Sequence, residues 1–208
     1  MNKYLAKLNY LHTKINTEVL EKYAQKNHVP IIEYDSLTVL LTIIKICKIH
    51  KILEIGTAIG YSAIHMASCK TVSKIDTIER NKSMYEEAVK NIELYKMQDK
   101  VKPHFADALD IELENLDHDY DLLFIDAAKV QSEKFFKRFL PLLKEESIII
   151  TDNILFHGCV ENRENLSKNV SKMVEKIDQY NDFLANLENF ETIFINIGDG
   201  LAITIRNK

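Results

Sequence analysis

Short apolar segments alternate with helical segments along most of this chain, and that alternation constrains its fold more than any other feature. Strands separated by helices are joined by right-handed crossovers and form a mainly parallel sheet. The last two apolar segments are separated only by a glycine-rich turn, so we expect them to pair as an antiparallel hairpin. The predicted strands are Lys51–Ile55, Lys74–Glu79, Val101–Phe105, 121–126, 147–152, 192–197 and 202–206, and the helices between them are 60–68, 81–95, 131–143 and 162–187.

The pattern predicts an α/β fold with a Rossmann-like, seven-stranded, mostly parallel sheet and an antiparallel C-terminal hairpin. Helices are expected on both faces of the sheet. Apolar residues at helical spacing over 2–28, and again over 37–46, predict an N-terminal helical extension. The 208 residues are therefore read as a single domain, with a helical N-terminal cap over 1–46 and an α/β core over 47–208 that binds cofactor and metal.

Composition excludes several classes of protein. A net charge of −4 argues against a general polyanion binder, although residues 1–60 carry eight lysines against five acidic residues. That basic stretch fits either a solvated helical surface or a face for nucleic acid. The sequence contains no apolar run of membrane-spanning length and no apolar signal-peptide core. Three cysteines without CxxC spacing indicate neither a disulfide framework nor a zinc site. We expect a cytoplasmic protein that has no contact with membranes.

One group of residues at predicted strand ends fits a nucleoside cofactor. Gly56 and Gly60 flank a strand-to-helix turn where a ligand can approach the backbone, and their spacing is not the G-x-G-x-x-G of dinucleotide folds. An acid at the end of the second strand can accept both ribose hydroxyls, and one after the third strand can accept the adenine amino group. This pattern favours S-adenosylmethionine over NAD. Glu79 ends the second strand and Asp107 follows the third, while Glu54, in the first strand, belongs to the same group of strand-end acids.

A second group fits the chemistry of transfer. Asp126 ends one apolar strand, and Asp152 and Asn153 end the strand predicted to lie beside it. Two carboxylates and an amide oxygen form an all-oxygen set that suits Mg²⁺ better than zinc. Lys129, three residues after Asp126, could accept a proton or stabilise an oxyanion. Asp152 could instead cap a turn, and Lys129 could be an exposed lysine at the start of a helix.

Four motifs together resemble the catechol and caffeoyl-CoA O-methyltransferases, which are class I methyltransferases. They are Glu54-x-Gly-Thr-x-x-Gly-Tyr-Ser62, Ile125-Asp-Ala-Ala-Lys129, Thr151-Asp-Asn153 and Gly198-Asp-Gly200, and the similarity runs from about residue 31 to residue 206. The resemblance implies that S-adenosylmethionine and Mg²⁺ are bound and that Lys129 is the catalytic base beside Asp126. It further implies a metal site of Asp126, Asp152 and Asn153, and cofactor contacts from Ile32, Glu54, Gly56, Gly60, Ser62, Glu79, Asp107, Ala108 and Asp126.

Within that family, Asp126-Ala-Ala-Lys-x-Gln131 and Asp152-Asn-x-Leu-Phe156-x-Gly158 look most like a bacterial branch that methylates 5-hydroxyuridine at the tRNA wobble position. The resemblance thus implies a tRNA anticodon loop as substrate and 5-methoxyuridine as product. A small catechol-like or hydroxycinnamoyl acceptor, methylated by the same mechanism, is the alternative. A non-catalytic tRNA- or cofactor-binding protein is a third reading, and the glycine spacing disfavours an NAD-dependent reductase. Family resemblance also implies a homodimer.

Overall fold

The computed structural model describes residues 15–127 and 129–207, so the predicted helical segment before residue 15 and Ala128 lie outside the described residues. Seven strands form one sheet in the order β3-β2-β1-β4-β5-β7-β6. They are β1 (Lys51–Ile55), β2 (Lys74–Glu79), β3 (Val101–Phe105), β4 (Tyr120–Ile125), β5 (Leu143–Asp152), β6 (Phe190–Ile195) and β7 (Leu201–Arg206). The first five strands run parallel, and β7 lies antiparallel between β5 and β6. The predicted fold class is confirmed.

Six α-helices of the described residues cover the sheet. They are α1 (Glu18–Asn27), α2 (Tyr34–Ile46), α3 (Tyr61–Ala67), α4 (Lys82–Leu94), α5 (Ser132–Phe139) and α6 (Lys168–Ala185). Helices α1 to α4 pack on one face with Ile52, Leu122 and Ile150, whereas α5 and α6 pack on the other with Leu53 and Leu123. Alternate residues of the central strands thus face opposite cores, which is why those strands read as continuous apolar runs. No helix in the described part of the chain is long and apolar enough to cross a membrane.

Three predicted boundaries were wrong, each for a local reason. Strand β5 begins at Leu143, which pairs with Tyr120, and the polar residues after it form an irregularity before the regular register resumes. Helix α5 ends at Phe139, and Pro141 lies in a short 3₁₀ helix (Leu140–Leu142) instead of an α-helix. Helix α6 begins only after Ser167, whose hydroxyl accepts a hydrogen bond from the Val170 N–H, 3.4 Å away.

Candidate functional site

A cavity of about 340 Å³ opens at the carboxyl ends of β1, β2 and β4, where α/β sheets bind their ligands. The linker between α1 and α2 forms one wall, and the loops after β2, β3 and β4 form the others. Most of the predicted site residues line it: Ile32, Gly56, Ser62, Glu79, Asp107, Ala108, Asp126, Lys129 and Asn153. The predicted Glu54, Gly60 and Asp152 are not among the lining residues.

The turn after β1 lies directly against the end of β4. Gly56 has a φ of +106°, and a Cβ added there would be 2.1 Å from the backbone oxygen of Asp126. The Asp126 N–H in turn donates to the Ile55 oxygen at 2.9 Å. Gly60, with a φ of +84°, directly precedes α3, and its N–H donates to the Thr57 backbone oxygen at 2.8 Å. Glycine at position 56 therefore permits the close approach that brings Asp126 to the floor of the cavity.

Glu54 lies beneath the cavity and supports it. Its carboxylate is fully buried and accepts hydrogen bonds from the hydroxyls of Ser62 and Thr77, each at 2.5 Å. Burial raises the Glu54 pKa to about 7, and the two hydroxyl donors oppose that rise. The structure thus places Glu54 behind Ser62, which reaches the cavity, and does not place it where a cofactor would lie. The predicted direct cofactor contact at Glu54 is not what the geometry favours.

Two carboxylates at the far side of the cavity are held by backbone amides. Glu79 accepts from the Ala58 N–H at 2.9 Å and from the Asn81 N–H at 2.7 Å. Asp107 accepts from the Leu109 N–H at 2.9 Å, and its other oxygen lies 3.6 Å from an Arg80 nitrogen. A carboxylate has about four acceptor positions, so Glu79 retains capacity for two hydroxyl groups. These acceptors suit the ribose and base of a nucleoside.

Asp126, Asp152 and Asn153 meet where β4 and β5 end side by side. The Asn153 amide donates to Asp126 Oδ1 at 3.0 Å, and one oxygen of Asp152 is buried with no hydrogen-bond partner. Burial raises the pKa of both aspartates, and each is raised further by a neighbouring carboxylate: Glu54 for Asp126, and Asp126 for Asp152. A buried carboxylate oxygen without a hydrogen-bond partner is costly, so the free oxygen of Asp152 fits a ligand position for a cation. The donor set is two carboxylates and one amide oxygen, and no cluster of three His, Cys, Asp or Glu suited to a metal occurs among residues 15–127 and 129–207.

Lys129 lies beside this group. Its ammonium donates to Asn153 Oδ1 at 3.1 Å, lies 3.4 Å from Asp199 Oδ2 and sits 4.6 Å from the centre of the Phe156 ring. The sequence did not lead to Asp199 as a site residue, whereas Phe156 was a candidate for the acceptor pocket. Asp199 is buried, and its carboxylate also accepts a hydrogen bond from the backbone N–H of His157, whose own side chain is exposed. The Gly198-Asp-Gly200 motif was the available signal for Asp199.

The basic side chains of α5 are engaged by the protein itself. Lys134, Lys137 and Arg138 have a helical spacing that fits either phosphate ligands or a solvated outer helix face. Lys137 instead pairs with Glu133 at 2.6 Å. The Arg138 guanidinium donates to two backbone carbonyl groups. Only Lys134, an exposed residue, keeps the geometry of a surface phosphate ligand.

Comparisons with known proteins agree with this geometry. The family model for O-methyltransferases matches residues 6–207. A Staphylococcus aureus protein provisionally named as a caffeoyl-CoA O-methyltransferase is 41% identical, with a TM-score of 0.92 over 99% of this chain and 98% of that one. The catechol O-methyltransferase of Niastella koreensis is 29% identical over 171 residues, which cover 77% of this chain and 75% of that protein. The fold also matches TomG of Streptomyces achromogenes at 22% identity and a TM-score of 0.80, over 98% and 95% of the two chains. The chain therefore belongs to the O-methyltransferase family.

Proposed function

We propose that this chain transfers a methyl group from S-adenosylmethionine to a hydroxyl group that stands next to a second oxygen on a planar ring, with Mg²⁺ at the acceptor. One observation carries the proposal. A single cavity joins the backbone-held Glu79 and Asp107 at one end to Asp126, Asn153 and Lys129 at the other. S-adenosylmethionine with its nucleoside at the first end would direct its sulfonium methyl group toward the second end.

The cofactor end is supported by the acceptors described above and by a relative. Glu79 would accept the ribose hydroxyls, Asp107 the adenine amino group, and Ser62 would contact the methionine part. Ser62 is held by the buried Glu54 carboxylate at 2.5 Å, so its orientation is set before the cofactor arrives. TomG, which shares the fold, was solved with S-adenosylmethionine bound.

The residues at the acceptor end fit a divalent cation. Asp126, Asp152 and Asn153 offer oxygen donors, and the unpartnered oxygen of Asp152 leaves a position for a positive charge. When bound, Mg²⁺ would orient the acceptor oxygen and lower its pKa. Lys129, which donates to Asn153 beside these carboxylates, would take up the hydroxyl proton if it is a neutral amine when the acceptor binds. As an ammonium it would instead hold the oxyanion. Phe156 supplies an apolar surface beside the lysine for a planar ring.

A small catechol-like or hydroxycinnamoyl acceptor is the substrate class that we favour. The relatives described above include a catechol O-methyltransferase and a protein provisionally named as a caffeoyl-CoA O-methyltransferase. Arg138 donates to two backbone carbonyl groups, so it is not free to bind a tRNA backbone. This favours the alternative acceptor over the tRNA reading made from the sequence.

The tRNA 5-hydroxyuridine acceptor is a second candidate, and a specific observation favours it. Gln131, part of the loop pattern that resembles the tRNA-modifying branch, lines the cavity next to Lys129. A 5-hydroxyuracil ring also presents a hydroxyl beside a carbonyl oxygen, so it offers the same adjacent oxygen pair as a catechol. A wobble nucleotide is unpaired and can enter a pocket without opening a duplex.

The test is methyl transfer from labelled S-adenosylmethionine, offered in parallel to a catechol, a hydroxycinnamoyl thioester, and tRNA with or without 5-hydroxyuridine. Label in the small molecules that disappears with a chelator and returns with Mg²⁺ supports the favoured acceptor class. Label in the hydroxylated tRNA alone would replace it with the second candidate. Asp152→Asn should abolish transfer while retaining cofactor binding. Failure of the wild type to bind S-adenosylmethionine in calorimetry would refute the proposal as a whole.

A further inference from the structure

Arg138, on the second turn of α5, reaches across to the loop that follows β3. Its Nε donates to the Ala108 oxygen at 3.1 Å, and its Nη2 donates to the Ile111 oxygen at 2.5 Å. Both acceptors are backbone carbonyl groups of a loop, and neither is part of a strand or an α-helix. The guanidinium is planar and carries its donors in a fixed fork, so one side chain can hold two carbonyl groups at a set separation.

The loop held by Arg138 forms the nucleobase wall of the cavity. Ala106, Asp107 and Ala108 all line it. Within the loop, the backbone oxygen of Asp107 accepts hydrogen bonds from the N–H groups of Asp110 and Ile111, both at 3.0 Å. These bonds shape the turn but do not fix its position relative to the sheet. Hydrogen bonds to other elements fix that position. The Ala106 N–H donates to the backbone oxygen of Glu79 in β2 at 3.1 Å, and Arg138 of α5 donates to Ala108 and Ile111 further along the loop.

Helix α5 also contributes to the wall of the cavity. Phe135 and, just before the helix, Gln131 line the cavity. Phe135 is buried in the same apolar cluster as Ala108 and Ile111, so the helix and the loop are packed together as well as hydrogen bonded. The first residue of the helix, Ser132, donates from its hydroxyl to the Lys129 oxygen at 3.2 Å. Arg138 therefore joins the nucleobase loop to the helix that follows the transfer residues.

We propose that Arg138 is a positioning residue for the cofactor, which fixes the Asp107–Ala108 wall against which the nucleobase binds. This inference rests on the proposed function, since it concerns the same cavity. Without the two donors, the loop would have to be ordered at the moment of binding, and that cost reduces affinity. The effect falls on binding and not on transfer, because Lys129 and the aspartate pair act at the other end of the cavity.

The acceptors also predict which substitutions matter. They are neutral carbonyl groups, so the geometry of the donors matters more than the positive charge. Lysine at position 138 would keep the charge but offers a compact ammonium in place of the fork. Arg138→Lys should therefore lose most of what Arg138→Met loses. A surface phosphate ligand behaves in the opposite way, since lysine substitutes well for arginine where a point charge suffices.

The experiment measures binding of S-adenosylhomocysteine and of adenosine by calorimetry to the full chain, as wild type, Arg138→Met, Arg138→Lys and Lys134→Met. Lys134→Met is the matched control, because it removes one positive charge from an exposed position of the same helix. We expect Arg138→Met to raise the Kd of both ligands about tenfold, Arg138→Lys to raise it at least about threefold, and the control to leave it unchanged. Turnover at saturating S-adenosylmethionine should stay within about twofold of wild type.

Several results would overturn the inference. A lower melting temperature for Arg138→Met with unchanged adenosine affinity would make the arginine purely structural. Unchanged affinity in Arg138→Lys would show that charge alone suffices, and this variant decides the question if Arg138→Met does not fold. A fall in turnover with unchanged cofactor affinity would place Arg138 in acceptor binding. These outcomes are distinct from failure of the proposed function, in which the wild type itself would not bind S-adenosylhomocysteine.

Discussion

Replacing Gly56 by alanine should destabilise the fold and distort the site together, because the added methyl group has nowhere to go. The Cβ would lie 2.1 Å from the backbone oxygen of Asp126 and 2.8 Å from its carbonyl carbon. Both atoms belong to the backbone just after β4, which cannot move aside as the end of a flexible side chain could. The turn after β1 and the end of β4 must therefore separate. The φ of +106° adds a second cost, since L residues rarely adopt it.

The two costs can be estimated separately. A residue with a side chain held at such a φ costs about 1–3 kcal/mol, and forcing an extra carbon into a packed site costs about 1–3 kcal/mol more. The expected loss for Gly56→Ala is therefore roughly 2–6 kcal/mol, a large part of the stability of an ordinary domain. For a chain of this size, each kcal/mol lowers the melting temperature by about 2–4 °C.

Gly158→Ala is the matched control. Gly158 also has a positive φ, at +77°, but a Cβ added there meets nothing within 4 Å. It should therefore show only the backbone cost, about 1–3 kcal/mol. Urea unfolding of the two variants and the wild type measures the difference, and calorimetry with S-adenosylhomocysteine measures the site. Equal losses of stability in the two variants, with cofactor affinity intact in Gly56→Ala, would refute the close-contact reasoning.

Three further predictions follow from the site. The folded-state pKa of Glu54 is raised to about 7 from 4.5, so between these values the folded state holds a proton that the unfolded state releases, and stability should fall as pH rises through that window. The raised pKa values of Asp126 and Asp152 contribute to the same decline. Urea titrations of metal-free protein from pH 4.5 to 7 should show it, and Glu54→Gln should make the slope smaller; an equal slope in both proteins would contradict the assignment. Lys129→Met should lower kcat by about 10²–10⁴-fold without weakening cofactor binding, as steady-state kinetics and calorimetry would show. Glu79→Gln should raise the Kd for adenosine by about 10–100-fold, and an unchanged Kd would remove Glu79 from the ribose site.

The bounds of β1, β2 and β3 could be predicted from the sequence to the residue, whereas those of β4 to β7 were missed by one to four residues. Strands β1 and β2 end at local sequence signals, which are Gly56 and the charged pair Glu79-Arg80. The start of β5 was missed because its first residues are exposed and polar: their pairing with β4 depends on contacts distant in sequence. The start of α6 was missed because polar residues between 154 and 167 resemble a helix in composition.

The same contrast separates the site residues that could be predicted from those that could not. The placement of Asp126, Asp152 and Glu79 at one edge of the sheet was predictable because parallel strands bring their carboxyl ends to the same edge. The contacts of Arg138 could not be predicted, because helical spacing shows which residues share a face but not which loop that face meets. The two carbonyl groups that Arg138 binds belong to a loop about thirty residues earlier in the chain, and tertiary packing of the apolar cluster that contains Phe135 and Ala108 brings helix and loop together.

Asp199 was missed although the sequence contained the means to place it. Strand β7 is antiparallel to β5, with Leu201 opposite Asp152, so β7 begins at the edge where β5 ends. The hairpin turn before β7 must then lie at the same edge as the aspartates, and Asp199 stands two residues before Leu201. An antiparallel C-terminal hairpin was predicted, and it should have led directly to the turn as a contributor to the site. The buried carboxylate of Asp199 lies 3.4 Å from the Lys129 ammonium. The turn at the antiparallel end of the sheet therefore helps to hold the lysine that the proposed transfer needs.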